Sequence, residues 1–343
     1  MTLTVSLVTR GSPAQLTGGH LYHSRMADRA ADREASISFV AAGRFRDPLR
    51  PAADVILVDS ITAWSIPPWL WRRRRKVPMA AILHQAPGGV GTTSALRTLQ
   101  RPLDRALYRH CQLLIATSAA LGAALSDDRL LAARRIIVVE PGCDVPMVGA
   151  VPDLRDGRRI ALLCVANWLP NKGLLELLDA VAGLGPDDAL LHLVGRDDVD
   201  GAYTRRVRAR LESPDLVGRV VEHGPVGRHD IGRLYRAADA FVLPSFRETY
   251  GTVYGEALAA GLPVIGWSSG NLRHLIDDGR EGVLLHRGDI AGLRAVLVRI
   301  ATDDRWRLEL AAAASRRGER LPTWDSAADA FFRALRELAE RHG

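Results

Sequence analysis

The chain has 343 residues, 47% of them hydrophobic and 25% charged, which is enough for two cores of ordinary size and too apolar for a disordered chain. A net charge of +7 favours anionic partners, yet all but two of the 46 basic residues are arginine, so most of the excess reads as compositional bias. No apolar run is long enough to span a membrane and no secretion leader is seen, and the three cysteines have no histidines at ligand spacing; a disulfide framework and a zinc site are disfavoured, and a cytoplasmic protein is expected.

Short apolar runs at residues 3–8, 37–41, 55–58, 79–83, 113–116 and 136–139 alternate with helical stretches. This rhythm predicts an α/β fold with a doubly wound parallel sheet, in which ligands meet the carboxyl ends of strands. After the first strand come Gly18, Gly19 and His20, where adjacent glycines let backbone approach a phosphate or sugar; the G-x-G-x-x-G spacing of a dinucleotide fingerprint is absent. The fourth strand ends at His84 before a glycine-rich stretch, and Asp59 and Ser118 end neighbouring strands, where they are candidates for acceptor contact. Trp69 and Trp71 lead into Arg72, Arg73, Arg74, Arg75 and Lys76. That cluster fits either a peripheral contact with an anionic membrane or a solvated helix end. Arg97, Arg101, Arg105 and Arg109 recur every fourth residue, and Pro102 is predicted to interrupt the helix that would align them. Residues 145–157 read as a linker.

The second half opens with a strand at 160–165, then Asn167, then Lys172-Gly173 before a helix. A strand at 190–195 is followed by Asp198-x-Asp200, a pair of a kind that can hold a divalent ion in other proteins. The run 240–243 is a further buried strand, closed by Pro244 and Ser245. Beyond it lie Glu248, Thr249, Tyr250 and Gly251, and then a helix over 252–260 that carries Glu256 and is closed by Gly261 and Pro263. The junction at 249–253 offers unpaired N–H groups to a phosphate. Apolar spacing predicts a final helix over 324–342.

Glu248 and Glu256, with seven residues between them and flanked by Pro244-Ser245 and Ala257-x-x-x-Gly261-x-Pro263-Val264, resemble the motif of the retaining glycosyltransferases of family 4, also called glycosyl transferases group 1. Lys172-Gly173, Pro141-x-x-Asp144 and Gly279-x-x-Gly282 extend the resemblance over most of the second half, whereas the first half resembles the family through its rhythm, Gly18-Gly19 and His84. The resemblance implies a GT-B architecture of two Rossmann-like domains facing across a cleft, residues 1–148 and 149–322, with residues 323–343 crossing back to the first domain. It implies transfer of a sugar from a nucleotide diphosphate donor with retention, no cofactor and no metal, and no nucleic-acid partner. By the same resemblance Glu248 and His84 face the donor sugar and Lys172 meets the diphosphate. Glu256 holds the ribose, and Gly18, Gly19, Asn167, Thr249, Tyr250, Gly251, Thr252 and Val253 complete the donor site. Asn167 stands where the family has arginine, and His274 where it has glutamate. A nucleotide-sugar epimerase on the same fold and a non-catalytic nucleotide-sugar binder are the alternatives.

Overall fold

The computed structural model describes residues 2–10, 18–41, 53–66, 77–89, 94–143, 149–248 and 250–342. The chain divides into two compact units, residues 1–142 with 322–343, and residues 143–321. The membrane-type cluster Trp69 to Lys76, together with Thr249 and Asp144, lies outside the described residues.

Unit 1 is built on β1 (Leu3–Thr9), β2 (Ala35–Ala41), β3 (Val55–Asp59), β4 (Met79–Leu83), β5 (Leu113–Ala116) and β6 (Arg135–Val138). They form one parallel sheet in the order β2-β1-β3-β4-β5-β6. Its central strands read as unbroken apolar runs because both faces are covered. Val5, Leu7, Val55, Leu57, Ala80 and Ile82 point to one core, while the alternate residues Val8, Ile56, Val58, Ala81 and Leu83 point to another. Helices α1 (Gly18–Asp28), α2 (Ser94–Tyr108) and α3 (Ala119–Ser126) follow strands of this sheet. Helix α2 runs through Pro102, contrary to the predicted interruption, so 97, 101 and 105 do share one helix. Arg105 is ion-paired with Asp128 at 2.6 Å.

The last helix, Trp324–Glu340, completes the first core of unit 1. Thr323 and Ser326 form a capping box at its start. Trp324, Phe331, Phe332 and Leu335 are all buried against β-sheet residues and Tyr22, whose ring meets those of Trp324 and Phe331 edge-on at 5.9 and 6.3 Å. Each such side chain contributes roughly 1.5–3 kcal/mol by burial.

Unit 2 repeats the plan with β7 (Ile160–Val165), β8 (Ala189–Val194), β9 (Val220–Gly224), β10 (Ala240–Val242), β11 (Val264–Trp267) and β12 (Gly282–Leu285). The parallel order is β12-β11-β10-β7-β8-β9. Its helices are α4 (Leu174–Ala182), α5 (Gly201–Leu211), α6 (Arg228–Ala237), α7 (Thr252–Ala259), α8 (Leu272–Leu275), α9 (Ile290–Thr302) and α10 (Asp304–Gly318). In each sheet the strand order reverses once, between β1 and β3 and between β7 and β10. Such switch points leave a crevice beyond the strand ends, the place where open α/β sheets bind ligands. No described helix is long and apolar enough to cross a membrane.

Candidate active site

In unit 2 the loops leaving β7 and β10 meet at the switch point. Gly173, at φ +70°, lies so close to the end of β10 that an added Cβ would fall 2.1 Å from the Pro244 carbonyl oxygen. Only glycine allows this approach. It brings the Lys172 ammonium onto the Glu248 carboxylate, to which it donates a hydrogen bond, both side chains being 18% exposed. The backbone of Glu248 is fixed from behind, its carbonyl accepting from the Asn271 N–H at 3.3 Å. Asn171 Nδ2 donates to the Arg247 carbonyl at 3.1 Å, and Ser245 Oγ donates to the Asn171 carbonyl at 2.9 Å, so the two loops are stitched together.

Gly251, at φ +75°, turns the chain into α7, and no described side chain caps that helix. The first-turn N–H groups around Thr252 and Val253, with the positive end of the helix dipole, therefore form a seat for an anion. One turn on, Glu256 Oε2 accepts from the Tyr235 hydroxyl of α6 at 3.0 Å. Burial, reinforced by the Glu256 charge, pushes the Tyr235 phenol well above its usual range, so it acts as a donor. Tyr250 points away from solvent, its hydroxyl 3.2 Å from Cys143 Sγ. Asn167 Oδ1 accepts from the Arg196 N–H at 3.1 Å, and the Arg196 guanidinium is paired with Asp198 at 2.8 Å. Asp200 caps α5, accepting from the N–H groups of Ala202 and Tyr203. His274 is exposed on α8.

In unit 1 the corresponding switch point holds a second polar cluster. Asp59, at the end of β3, is fully buried, which removes it from direct acceptor contact. Its Oδ2 accepts from Thr9 Oγ1 at 2.8 Å and lies 2.9 Å from His23 Nε2 of α1. His84, at the end of β4, places its Nε2 3.3 Å from the same His23 nitrogen. Gly19 makes room for it, since an added Cβ would lie 3.2 Å from the His84 ring. Gly18 opens α1 with nothing near its Cβ position. Burial, with the neighbouring His23, lowers the His84 pKa to about 3, so its imidazole is neutral. Burial works to raise the Asp59 pKa and is outweighed, the His23 hydrogen bond foremost, so that the carboxyl is held well below the usual carboxylate range. Ser118 is likewise removed from acceptor contact, being buried and serving as the cap of α3 through the Leu121 N–H. Beyond His84, Asp104 Oδ2 of α2 accepts from the Gly88 N–H at 2.9 Å, and burial pushes its pKa up to about 6 against the pull of the Gly88 and Trp64 N–H groups.

Sequence reasoning therefore selected Lys172, Glu248, Glu256 and His84 but passed over His23, Tyr235 and Asn271. The available signal for His23 was its three-residue spacing from His20 on the helix after the glycine pair. The cysteines are buried thiols not joined by disulfides, and burial pushes those of Cys111 and Cys164 up to about 12.

The family profile described as "Glycosyltransferase Family 4" matches residues 2–145, and that described as "Glycosyl transferases group 1" matches residues 159–303. The chain is 30% identical over 297 residues to the D-inositol 3-phosphate glycosyltransferase of Geodermatophilus obscurus, covering 79% of this chain and 64% of that protein. It is also 30% identical over 293 residues to the enzyme of the same name from Xylanimonas cellulosilytica, covering 80% and 69%. Among solved structures, the sucrose-phosphate synthase of Thermosynechococcus elongatus superposes with a TM-score of 0.83 at 20% identity, covering 99% of this chain and all of that one. With two parallel Rossmann-like units, each with a polar switch point, and matches over both halves, the chain belongs to glycosyltransferase family 4, the group 1 glycosyl transferases of GT-B fold.

Proposed function

We propose that this glycosyltransferase moves a sugar from a nucleotide diphosphate donor to a small phosphorylated polyol, with retention at the anomeric carbon. The observation that carries the reading is the junction of Lys172, Glu248 and the N-terminus of α7 at the switch point of unit 2. Lys172 and the N–H groups at Thr252 and Val253 supply positive charge for a diphosphate, and developing charge on the leaving phosphate is the main thing such a site must stabilise. Glu248 then accepts from sugar hydroxyls. Glu256, oriented by Tyr235, accepts from a ribose diol, with Asn167, Tyr250 and Gly251 shaping the donor pocket of unit 2. This charge arrangement needs no divalent ion at the diphosphate. The acceptor class is drawn from the names of the 30%-identical relatives. Catalysis is assigned to the cytoplasm, where nucleotide sugars are made.

The test is turnover of UDP-, GDP-, ADP- and TDP-sugars with inositol phosphates as acceptors, in EDTA, by wild type and Glu248→Gln. Release of nucleoside diphosphate and a retained glycoside from one donor, lost in the variant, is expected. An altered sugar nucleotide formed without acceptor, or binding without turnover across the acceptor panel, would overturn the proposal.

A further inference from the structure

We propose that Asn271 is a positioning residue for the anion seat of unit 2: from the loop after β11 it holds both ends of the turn that joins Glu248 to α7. The inference rests on the reading of that turn, with Lys172, as the place where a nucleotide diphosphate docks, and it names the residue that fixes the turn's shape.

Asn271 directly precedes α8, where an asparagine ordinarily serves as a cap by accepting from the N–H groups of the first turn. Here its side chain makes no capping bond. It is fully buried and turned to the neighbouring loop, where Nδ2 donates to the Tyr250 carbonyl at 3.3 Å. The main-chain N–H of Asn271 donates to the Glu248 carbonyl, also at 3.3 Å. One residue thus holds two carbonyls of the turn. Its Oδ1 is buried with no partner among the described residues, a cost that an apolar side chain would avoid. Capping does not account for this amide, whereas the bond to Tyr250 does.

The loop is shaped to bring Asn271 to that place. Gly270, at φ +57°, packs so closely on Glu248 that an added Cβ would overlap the Glu248 carbonyl oxygen. Ser269 Oγ donates to the Ser245 carbonyl at 2.6 Å, so three consecutive residues grip the chain that leaves β10.

The consequence for an anion follows from peptide planarity. In a trans peptide the C=O and N–H point in opposite directions. With the Tyr250 carbonyl held toward Asn271, the Gly251 N–H is directed away from Asn271, at the head of the row that continues with Thr252 and Val253. A half-turn of that peptide would present a carbonyl oxygen where the seat needs an N–H. Glycine at position 251 makes such a rotation sterically cheap, and the amide of Asn271 is what locks it.

The experiment is calorimetry of the full chain with UDP, GDP, ADP and TDP and then, for the one that binds, with its nucleoside. Wild type, Asn271→Ala, Asn271→Asp and Lys172→Ala are compared. Asn271→Ala should weaken the nucleoside diphosphate about 5–10-fold and leave the nucleoside unchanged, since Glu256 and Tyr235 stay in place. Asn271→Asp keeps the side-chain volume and should weaken the diphosphate further at neutral pH. That deficit relative to wild type should shrink as pH falls and the protonated carboxyl donates to Tyr250 in the amide's stead. Should Asn271→Ala fail to fold, this pH dependence decides. A role in stability alone would lower diphosphate and nucleoside affinity by the same factor, with no recovery in acid. That result would overturn the inference alone, as would wild-type diphosphate affinity in both Asn271 variants when Lys172→Ala has lost it. No binding of any of the four nucleotides by wild type, or unchanged binding by Lys172→Ala, would overturn the diphosphate reading and this inference with it.

Discussion

Lys172 and Glu248 stand 76 residues apart in sequence, yet their side chains form an ion pair where the loops after β7 and β10 meet. A donor diphosphate would draw the ammonium toward itself and free the carboxylate for sugar hydroxyls. Glu248→Gln keeps the size and removes the charge, so turnover should fall about 100-fold or more while nucleoside diphosphate affinity changes little. Lys172→Ala should weaken nucleotide affinity about 10-fold as well as slowing turnover. Calorimetry with the nucleoside diphosphate, beside steady-state rates, checks the division; equal losses of affinity in both variants would contradict it.

Gly173→Ala tests the approach of the lysine loop to β10. The new methyl would meet the Pro244 carbonyl oxygen at 2.1 Å in a backbone conformation unfavourable to alanine. A loss of about 2–3 kcal/mol or more is expected in denaturant unfolding. Gly218→Ala, also at positive φ but with no atom near its Cβ, should cost only the backbone strain, about 1 kcal/mol.

Tyr235→Phe removes the hydroxyl that donates to Glu256 at 3.0 Å while keeping the ring in the core. Nucleotide affinity should drop about 3–10-fold through a less fixed carboxylate, the equivalent of a hydrogen bond worth roughly 1 kcal/mol. Affinities for nucleoside diphosphate and for its 2′,3′-dideoxyribose analogue, measured in both proteins, check this: the variant should discriminate less between them.

Asp104 gives a pH prediction with a definite sign. Its folded pKa, raised by burial to about 6, exceeds the ordinary carboxylate value of 3.8, so the folded state binds a proton more tightly than the unfolded state. Its contribution to stability is therefore greatest below about pH 4 and falls as pH rises to about 6, by roughly 3 kcal/mol from a shift of about two pKa units. Asp104→Asn should flatten this part of the stability–pH curve, and chemical unfolding between pH 4 and 7 measures it. A curve with unchanged slope in the variant would refute the assignment.

The strands of both sheets were legible because fully covered parallel strands must be apolar in unbroken runs, and the turns between them carry glycine and proline. Glu248, Glu256 and Lys172 were legible through motif and flanks. What the sequence concealed depends on contacts between strand ends. His23 meets Asp59 from 36 residues away, and Tyr235 reaches Glu256 from the preceding helix, where it looks like an ordinary core residue. Asp59 and Ser118 illustrate the converse: a polar residue at a strand end need not face a ligand when the backbone and neighbouring side chains already use it. Pro102 departs from expectation: α2 runs through it, and what holds the helix beyond the proline is its last turn, where Leu107 and Tyr108 are buried in the core and Arg105 pairs with Asp128.

The helix Trp324–Glu340 supplies Trp324, Phe331 and Phe332 to a core whose other members lie before Gly142. In genetic terms unit 2 is an insertion within unit 1. During synthesis residues 143–321 leave the ribosome with every strand of their own sheet, and can fold, before the earlier unit receives its aromatic plug. The first unit made is thus the last to be finished, and until then its sheet face that will receive Trp324 is exposed apolar surface for a chaperone to guard.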